Sequence, residues 1–313
     1  MVETPVAPNT PDSSNTAEST NTAAYSNTAG RPHVVVGVDS SDDAARAAVW
    51  AAGEAAERGL GLVLVHAVDL PRAAGADFGF PEWAESGRAD GLRLLDRIRC
   101  ALQHRYPDLP VSAEVSDFGA AKTLVVMSGA ARFVVTGARG HGGFAGLLLG
   151  SVSLKLAAHA QCPAVVVRGE ASQDPCGEIV LGVEPGQPEA PVRFAFAAAA
   201  QLGARVRVVR AWTPDPMYGG YYCASGTQAT ERELIEDFDG RLRPLRDLFP
   251  GVEVSLQIAR GNPVPTLIDA ARGARLLIVG ARRRRTPLSV GAGHVVHGLL
   301  SHCPTPVAVV PIV

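Results

Sequence analysis

The stretch FVVTGARGHGGFAGLLLGS, from Phe133 to Ser151, indicates more about the fold than any other part of the chain. It begins with a short apolar run, and a helical pattern starts at Ser151, so the stretch predicts a strand, a glycine-rich loop and a helix start. Glycines let backbone N–H groups approach an anion, and a helix N-terminus adds partial positive charge. From the residues alone, the stretch predicts a site for phosphate or another anion.

The rest of the chain repeats one pattern of apolar strands and helices twice. The first copy opens with VVVGVD and the second with IVLGVE, which end at Asp39 and Glu184. Both copies close with a Cys-Pro pair and an apolar run, starting at Cys162 and Cys303, where we expect the two thiols to pack. Strands alternating with helices in this way predict an α/β fold with a parallel sheet covered on both faces. The apolar face of the first helix is predicted to comprise Ala45, Ala48, Val49, Ala52 and Ala55.

Composition and charge exclude several classes of protein. The chain has 313 residues, of which 47% are hydrophobic and 19% charged, and its formal net charge is −2. These values predict two globular domains and give no reason to expect a nucleic-acid or membrane partner. No apolar run is long enough to span a bilayer, and no signal peptide is recognisable. The five cysteines form no CxxC pair, so we expect reduced thiols, a cytoplasmic location and no zinc site.

The chain resembles the tandem-domain universal stress proteins of the ATP-binding type. The resemblance depends on Val-Gly-Val-Asp39, on the Leu64–Ala67 segment, on the loop glycines with Ser151, and on the duplicated Cys-Pro strands. It covers nearly everything after residue 31. In each domain it implies a five-stranded parallel sheet of order 3-2-1-4-5, Rossmann-like and similar to the adenine nucleotide alpha hydrolases. It also implies that the domains pair through their last strands as an intrachain pseudo-dimer, and a homodimer stays open.

The expected organisation is a tail at 1–31, a nucleotide-binding domain at 32–169 and a second domain at 177–313. The tail repeats a Ser/Thr-Asn-Thr-Ala motif and buries too little apolar surface to offset its ordering entropy, so we predict disorder. Two long segments, 70–90 and 213–230, carry aromatic residues. These side chains either cap a ligand site, form a partner surface or fold back on the core.

The resemblance implies a site for ATP, accompanied by Mg²⁺, at the carboxyl ends of the first domain's strands. Gly37 and Asp39 should border the adenine and ribose, and the backbone at Ala67 should contact the adenine. The phosphates should be cradled by Gly137, Gly140, Gly150 and Ser151, with Ala138 in the same loop. Arg139 and His141 are either phosphate neighbours or solvated loop residues.

The second copy departs from this pattern. Glu184 replaces the aspartate, Arg283 replaces the second loop glycine, and His294 replaces the serine after Gly293. An arginine is unfavourable where the backbone must be left-handed or closely packed, so we predict a degenerate site. Anion binding by the side chains of Arg282–Arg285 stays open, but this short run without aromatic neighbours does not predict nucleic-acid binding.

The predicted function is a cytoplasmic, ATP-binding regulatory protein without efficient turnover. The patterns GxGxxG after the first strand, GxxxxGK[ST] and GxSxG are absent, and no catalytic base or nucleophile is recognisable. A slow ATPase or nucleotidyl-transferring enzyme stays open, as does a nucleotide-independent interaction module. Cyclic AMP stays open as the ligand, and the sequence does not name the protein partner.

Overall fold

The computed structural model describes residues 31–68, 80–141, 148–169, 177–184, 186, 189–212, 231–282 and 293–312. Several parts of the predicted organisation lie outside these ranges: residues 1–30 of the tail, residues 170–176 between the two domains, the middle of the glycine loop at 142–147, and residues 283–285 of the arginine run. The long segments fall outside at 69–79 and 213–230. The first of them was predicted to extend to residue 90, but a helix begins at Phe80.

Each repeat alternates strands and helices as predicted. The elements of the first repeat are β1 (His33–Gly37), α1 (Asp42–Glu57), β2 (Gly61–Ala67), α2 (Phe80–Arg105), β3 (Val111–Ser116), α3 (Ala120–Met127), β4 (Phe133–Gly137), α4 (Ser151–His159) and β5 (Ala164–Val167). The elements of the second repeat are β6 (Glu178–Gly182), α5 (Glu189–Leu202), β7 (Arg205–Trp212), α6 (Glu231–Leu248), β8 (Val254–Arg260), α7 (Pro263–Ala270), β9 (Leu276–Arg282), α8 (His294–His302) and β10 (Val307–Ile312).

The strands form one ten-stranded sheet of order β3-β2-β1-β4-β5-β10-β9-β6-β7-β8. The first repeat therefore has the order 3-2-1-4-5 that the resemblance implies. The second repeat has the same order, running in the opposite direction across the sheet. Neighbouring strands within each repeat are parallel, as in the register that pairs Val36 with Leu64. The repeats meet where β10 pairs antiparallel with β5, with Ala308 opposite Val165. The last strands thus join the two repeats within one chain.

Both faces of the sheet are buried by helices. Val34 and Val36 of β1 pack with α1 and α2, whereas Val35, which points the other way, packs with α3 and α4. The core on the α1 side continues across the junction and includes Phe196 of α5. This alternation explains why the strands are apolar throughout rather than at every second residue.

The structure corrects the predicted face of α1. Its buried residues include Ala48, Ala52 and Ala55 as predicted, and also Ala44, Ala47 and Ala51. Ala45 is exposed and Val49 is 40% exposed, so the prediction was wrong for these two residues. Alanines occur all around this helix, so their spacing alone does not distinguish its faces. The buried face is the one that packs against β1 and β4.

The cysteines of the two Cys-Pro pairs are buried as predicted. Cys162 and Cys303 are free thiols inside the protein, and burial raises the pKa of Cys162 to about 12. None of the described helices has both the length and the apolar composition needed to cross a membrane.

Candidate functional site

The loop between β1 and α1 is organised by Asp39 and Ser41. Ser41 is the N-cap of α1, and its hydroxyl oxygen accepts a hydrogen bond from the Ala44 N–H at 3.2 Å. One carboxylate oxygen of Asp39, Oδ1, accepts from the Ser41 N–H at 3.0 Å and from the Ser41 hydroxyl at 2.5 Å. This local network fixes both the direction of Asp39 and the start of α1.

The second oxygen of Asp39 reaches the glycine loop. Its Oδ2 accepts a hydrogen bond from the backbone N–H of His141 at 2.8 Å. A Cβ added at Gly140 would lie only 2.6 Å from the same oxygen, so a side chain there would push the two loops apart. Asp39 was predicted to border the adenine and ribose, and here its carboxylate ties the β1–α1 loop to the β4–α4 loop.

Asp43 makes a second tie between these loops, which the sequence reasoning missed. Its Oδ2 accepts from the Arg139 N–H at 3.0 Å and from the Arg139 Nε at 3.3 Å. Its Oδ1 is paired with Arg46, and the residue is 6% exposed. Burial alone raises the pKa of Asp43, but the hydrogen bonds and charges of Arg46 and Arg139 outweigh it and lower that pKa below its usual range. In the sequence, Asp43 is one of two adjacent acidic residues that suit a helix N-terminus, so nothing there marks it out.

The loop glycines are required by close packing. A Cβ at Gly137 would lie 2.5 Å from the backbone carbon of Asp43, where α1 crosses the end of β4. Gly150 donates from its N–H to the Ala138 carbonyl at 2.8 Å, and a Cβ at Gly150 would lie 3.3 Å from that oxygen. Ala138 itself is fully buried. The loop therefore folds back on its own start.

The N-terminus of α4 has a composition that suits an anion. Its N-cap, Gly150, makes no side-chain hydrogen bond to the helix, and its first turn contains no acidic residue. Ser151, the first helical residue, is exposed, as are Gly140 and His141. The Ser153 hydroxyl donates to the Gly137 carbonyl at 2.8 Å and holds the helix against β4. The Arg139 side chain is 60% exposed and brings a cation to the same region.

The residues predicted for the adenine side lie at the neighbouring strand ends. Ala67 is the last residue of β2 and is half-buried. His66 forms a hydrogen bond of 2.9 Å between its Nδ1 and the Val38 carbonyl, which holds the ends of β1 and β2 together. Gly37 faces α3, where an added Cβ would lie 2.7 Å from Leu124 Cδ1. Packing against α3 is therefore a structural reason for this glycine.

The second repeat differs from the first at the positions that make these ties. Its strand β9 continues to Arg282, which pairs with Ile312, whereas β4 ends at Gly137. Gly186, at the position of Ser41, has φ +68°, and Gln187 and Pro188 stand where the first repeat has acidic residues. Gly293 caps α8 with φ +100°, unlike Gly150 with φ −75°. Glu184 is exposed.

Comparisons with known proteins agree with this architecture. The family model described as the universal stress protein family matches residues 30–168 and again residues 177–311. Universal stress protein Rv2005c of Mycobacterium tuberculosis is 30% identical over 287 residues, which cover 88% of this chain and 96% of the relative. Rv2623 of the same organism, also a universal stress protein, is 29% identical over 286 residues, covering 88% and 95%.

A solved structure shows the same fold across both repeats. It is a universal stress protein from Archaeoglobus fulgidus, which matches with a TM-score of 0.67 at 14% identity and covers 89% of this chain and 98% of its own. At that identity the likeness concerns the fold alone. With the duplicated family match and the curated relatives, it leads to one assignment: the chain belongs to the universal stress protein family, with two copies of the family unit in tandem.

Proposed function

We propose that residues 32–169 form a domain that binds one ATP per chain with Mg²⁺, and that residues 177–313 form its pseudo-dimer partner with a degenerate site. The observation that carries this proposal is the α4 N-terminus, which has a glycine cap, no side-chain cap and an exposed Ser151. The first N–H groups of a helix have no acceptor within the helix, and with the helix dipole they favour phosphate binding.

Two carboxylates hold the start of the glycine loop in place beside the proposed phosphate site. Asp39 and Asp43 accept hydrogen bonds from the backbone N–H groups of His141 and Arg139, which are adjacent to Gly140. A loop held in place before the ligand arrives loses less conformational entropy on binding. The exposed Arg139 guanidinium then supplies a charged donor for phosphate oxygens. Ser151 adds a hydroxyl beside the helix N–H groups.

The described residues fit a cation that arrives with the nucleotide. In these ranges no three histidine, cysteine or acidic side chains are grouped to hold a metal ion. Asp39 and Asp43 are already committed to N–H donors of the protein. We therefore assign Mg²⁺ to the phosphate oxygens and water, which Mg²⁺ commonly keeps as ligands. A chelator should weaken ATP binding without unfolding the protein.

Nucleotide occupancy has a structural route to the second repeat through Arg168. Its Nη2 donates to the carbonyl of Leu148, near the end of the glycine loop. Its Nε donates at 3.3 Å to the carbonyl of Leu300 in α8. A ligand that moves the loop therefore acts on the contact between the repeats, and such a bias on conformation is the regulatory role that we propose.

Calorimetric titration with ATP and Mg²⁺, with cyclic AMP titrated in parallel, tests the proposal. We expect one ATP site per chain and weaker binding in Ser151→Ala and Arg139→Gln. Arg97→Gln, an exposed arginine on α2, is the matched control and should bind like the wild type. If the protein prefers cyclic AMP and Ser151→Ala does not change its affinity, cyclic AMP rather than ATP is the ligand. Failure of both nucleotides to bind would overturn the proposal and favour a nucleotide-independent interaction module.

The same preparation separates a binding protein from a slow ATPase. We expect no multiple-turnover release of phosphate, because the carboxylates nearest the loop, Asp39 and Asp43, already accept hydrogen bonds from the protein. Sustained turnover that disappears in Gly140→Arg would contradict this expectation and assign the site a catalytic role.

A further inference from the structure

The repeats are joined on the α1 side by a buried ion-pair cluster. Arg275, just before β9, donates to Glu54 Oε1 of α1 from Nε at 2.8 Å and from Nη2 at 2.6 Å. Its Nη2 also donates to Glu57 Oε2 at 2.7 Å. Glu54 is in addition paired with Arg58 at 2.5 Å, and the side chains of Glu54 and Arg58 are 3% and 4% exposed. An arginine of the second repeat is thus neutralised by carboxylates of the first.

The position of Arg275 has a counterpart at the junction, with an arginine from the first repeat and a helix, α5, from the second. Arg132 corresponds to Arg275, because each donates its backbone N–H at 2.9 Å to the first residue of a first strand, His33 or Glu178. The ends of α1 and α5 also correspond: Leu60 N–H donates to Ala55, and Ala204 N–H donates to Ala199. By this alignment Ala198 stands at the position of Glu54.

One turn further, Gln201 stands at the position of Glu57. The carboxylates that neutralise Arg275 therefore have no counterpart on α5 that could neutralise Arg132. Arg132 is exposed and has no carboxylate partner among the described residues.

At Arg132, a groove lies where the Glu54 and Glu57 side chains lie at Arg275. It encloses about 400 Å³ and is lined by residues of both repeats, including Arg132, Phe133, Phe194, Gln201 and Pro311. We call it the junction groove. Its described lining also includes Arg58 and Arg193 but no aspartate or glutamate. Arg58 and Arg193 are paired with Glu54 and Glu189, so the charge that lacks a partner here belongs to Arg132.

We propose that the junction groove binds a small organic carboxylate with an apolar body. The carboxylate would take the place at Arg132 that the Glu57 and Glu54 side chains take at Arg275. The apolar part would lie against the aromatic and proline side chains of the walls. Pockets of this size, apolar with few polar groups and formed between two structural units, are the usual form of small-molecule sites.

The probe for the test is 3-phenylpropionate, titrated into the full chain and followed by NMR of the ligand, with the neutral 3-phenylpropanamide in parallel. We expect the acid to bind and the amide to bind about tenfold more weakly, since a charge-assisted hydrogen bond has about that effect on affinity. Arg132→Gln should weaken binding of the acid to the same degree and leave binding of the amide unchanged.

A second variant supplies the carboxylate from the protein itself. Gln201→Glu changes charge but not shape and gives Arg132 the carboxylate that α5 lacks, so it should also weaken binding of the acid. Gln103→Glu and Arg97→Gln, both exposed on α2, are the matched controls and should leave binding unchanged. The proposal is overturned if the acid does not bind, if acid and amide bind equally, or if Arg132→Gln and Gln201→Glu bind the acid like the wild type. ATP titration of the same variants should give wild-type affinity, which keeps this result separate from the nucleotide site.

Discussion

The carboxylate of Asp43 accepts a hydrogen bond at 3.0 Å from the backbone N–H of Arg139, although 96 residues separate the two in the chain. The bond links the first turn of α1 to the turn after β4. The acceptor is charged and only 6% exposed, so the bond holds the loop to a buried carboxylate. Asp43 therefore both stabilises the first repeat and positions the loop that leads to α4.

We expect Asp43→Asn to lower the free energy of unfolding by about 1.5–3 kcal/mol, the usual contribution of a hydrogen bond to a charged group. Urea denaturation measures this change. The control is Asp42→Asn, because Asp42 is the adjacent acidic residue of the same helical turn but is exposed. The control should change stability by less than about 0.5 kcal/mol, as is usual for surface positions. Equal effects of the two variants would show that Asp43 stabilises the protein no more than the exposed Asp42 does.

The effect of Asp43 should also depend on pH. Its pKa is lower in the folded protein than in the unfolded chain, since the hydrogen bonds and charges of Arg46 and Arg139 outweigh the opposing effect of burial. The folded state therefore gains stability from the ionised carboxylate above the unfolded pKa of about 3.9, and loses it as the pH falls through the folded pKa. The stability difference between the wild type and Asp43→Asn should be constant near neutral pH and shrink below about pH 3.9. A difference that grows on acidification would contradict this assignment.

Gly140→Ala should separate the two loops. The added Cβ would lie 2.6 Å from Asp39 Oδ2, and that oxygen cannot move without losing its bond to the His141 N–H. We expect ATP affinity to fall about tenfold or more, the cost of losing one charge-assisted hydrogen bond. Gly240→Ala is the matched control, because a Cβ at Gly240 meets no atom within 4 Å. Unchanged ATP affinity in Gly140→Ala would place the nucleotide away from this loop.

Much of the fold could be predicted from the sequence because parallel strands buried on both faces are apolar at every position. Val34–Val36 and Phe133–Val135 show this directly, and the duplication predicted two such five-stranded units, which join into one ten-stranded sheet. The face of α1 could not be predicted in full. Its alanines surround the helix, so Val49 was placed on the buried side although it is 40% exposed.

The candidate site was only partly predictable for a different reason. Asp39, Gly140 and Ser151 lie within recognisable motifs, whereas Asp43 acts through a contact with a residue far along the chain. The same is true of Glu54 and Arg275, which pair across 221 residues. In the sequence each of these charged residues has the pattern of a solvated helix or loop position. Only the position of α1, against the end of β4 and beside Arg275, gives them partners.

The buried thiols should be chemically inert in the folded protein. Burial raises the pKa of Cys162 to about 12, so almost no reactive thiolate exists at pH 8. Burial also raises the pKa of Cys303, whereas Cys100 is exposed. We expect a thiol reagent to modify Cys100 rapidly and Cys162 and Cys303 only after denaturation, as read by peptide mass spectrometry. Fast labelling of Cys162 in the native protein would show that the β4–β5 region opens readily.

Arg275→Ala should weaken the contact between the repeats. Glu54, which is 3% exposed in the wild type, would keep Arg58 but lose two hydrogen bonds. Breaking a buried pair from one side costs about 3–5 kcal/mol, and because Arg58 stays we expect about 3 kcal/mol in urea denaturation. Arg272→Ala is the control, since its pair with Asp269 is about 70% exposed on both sides and should contribute less than about 1 kcal/mol.

A double variant decides whether the cost comes from the uncompensated carboxylate. Arg275→Ala combined with Glu54→Gln removes both the cation and the charge that it neutralises. If Glu54 is the reason for the loss, the double variant should be clearly more stable than the sum of the two single changes predicts. Strict additivity would mean that Arg275 stabilises the junction by packing alone. In that case the carboxylates on α1 would not be what holds Arg275, and the comparison with Arg132 in the junction groove would lose its physical basis.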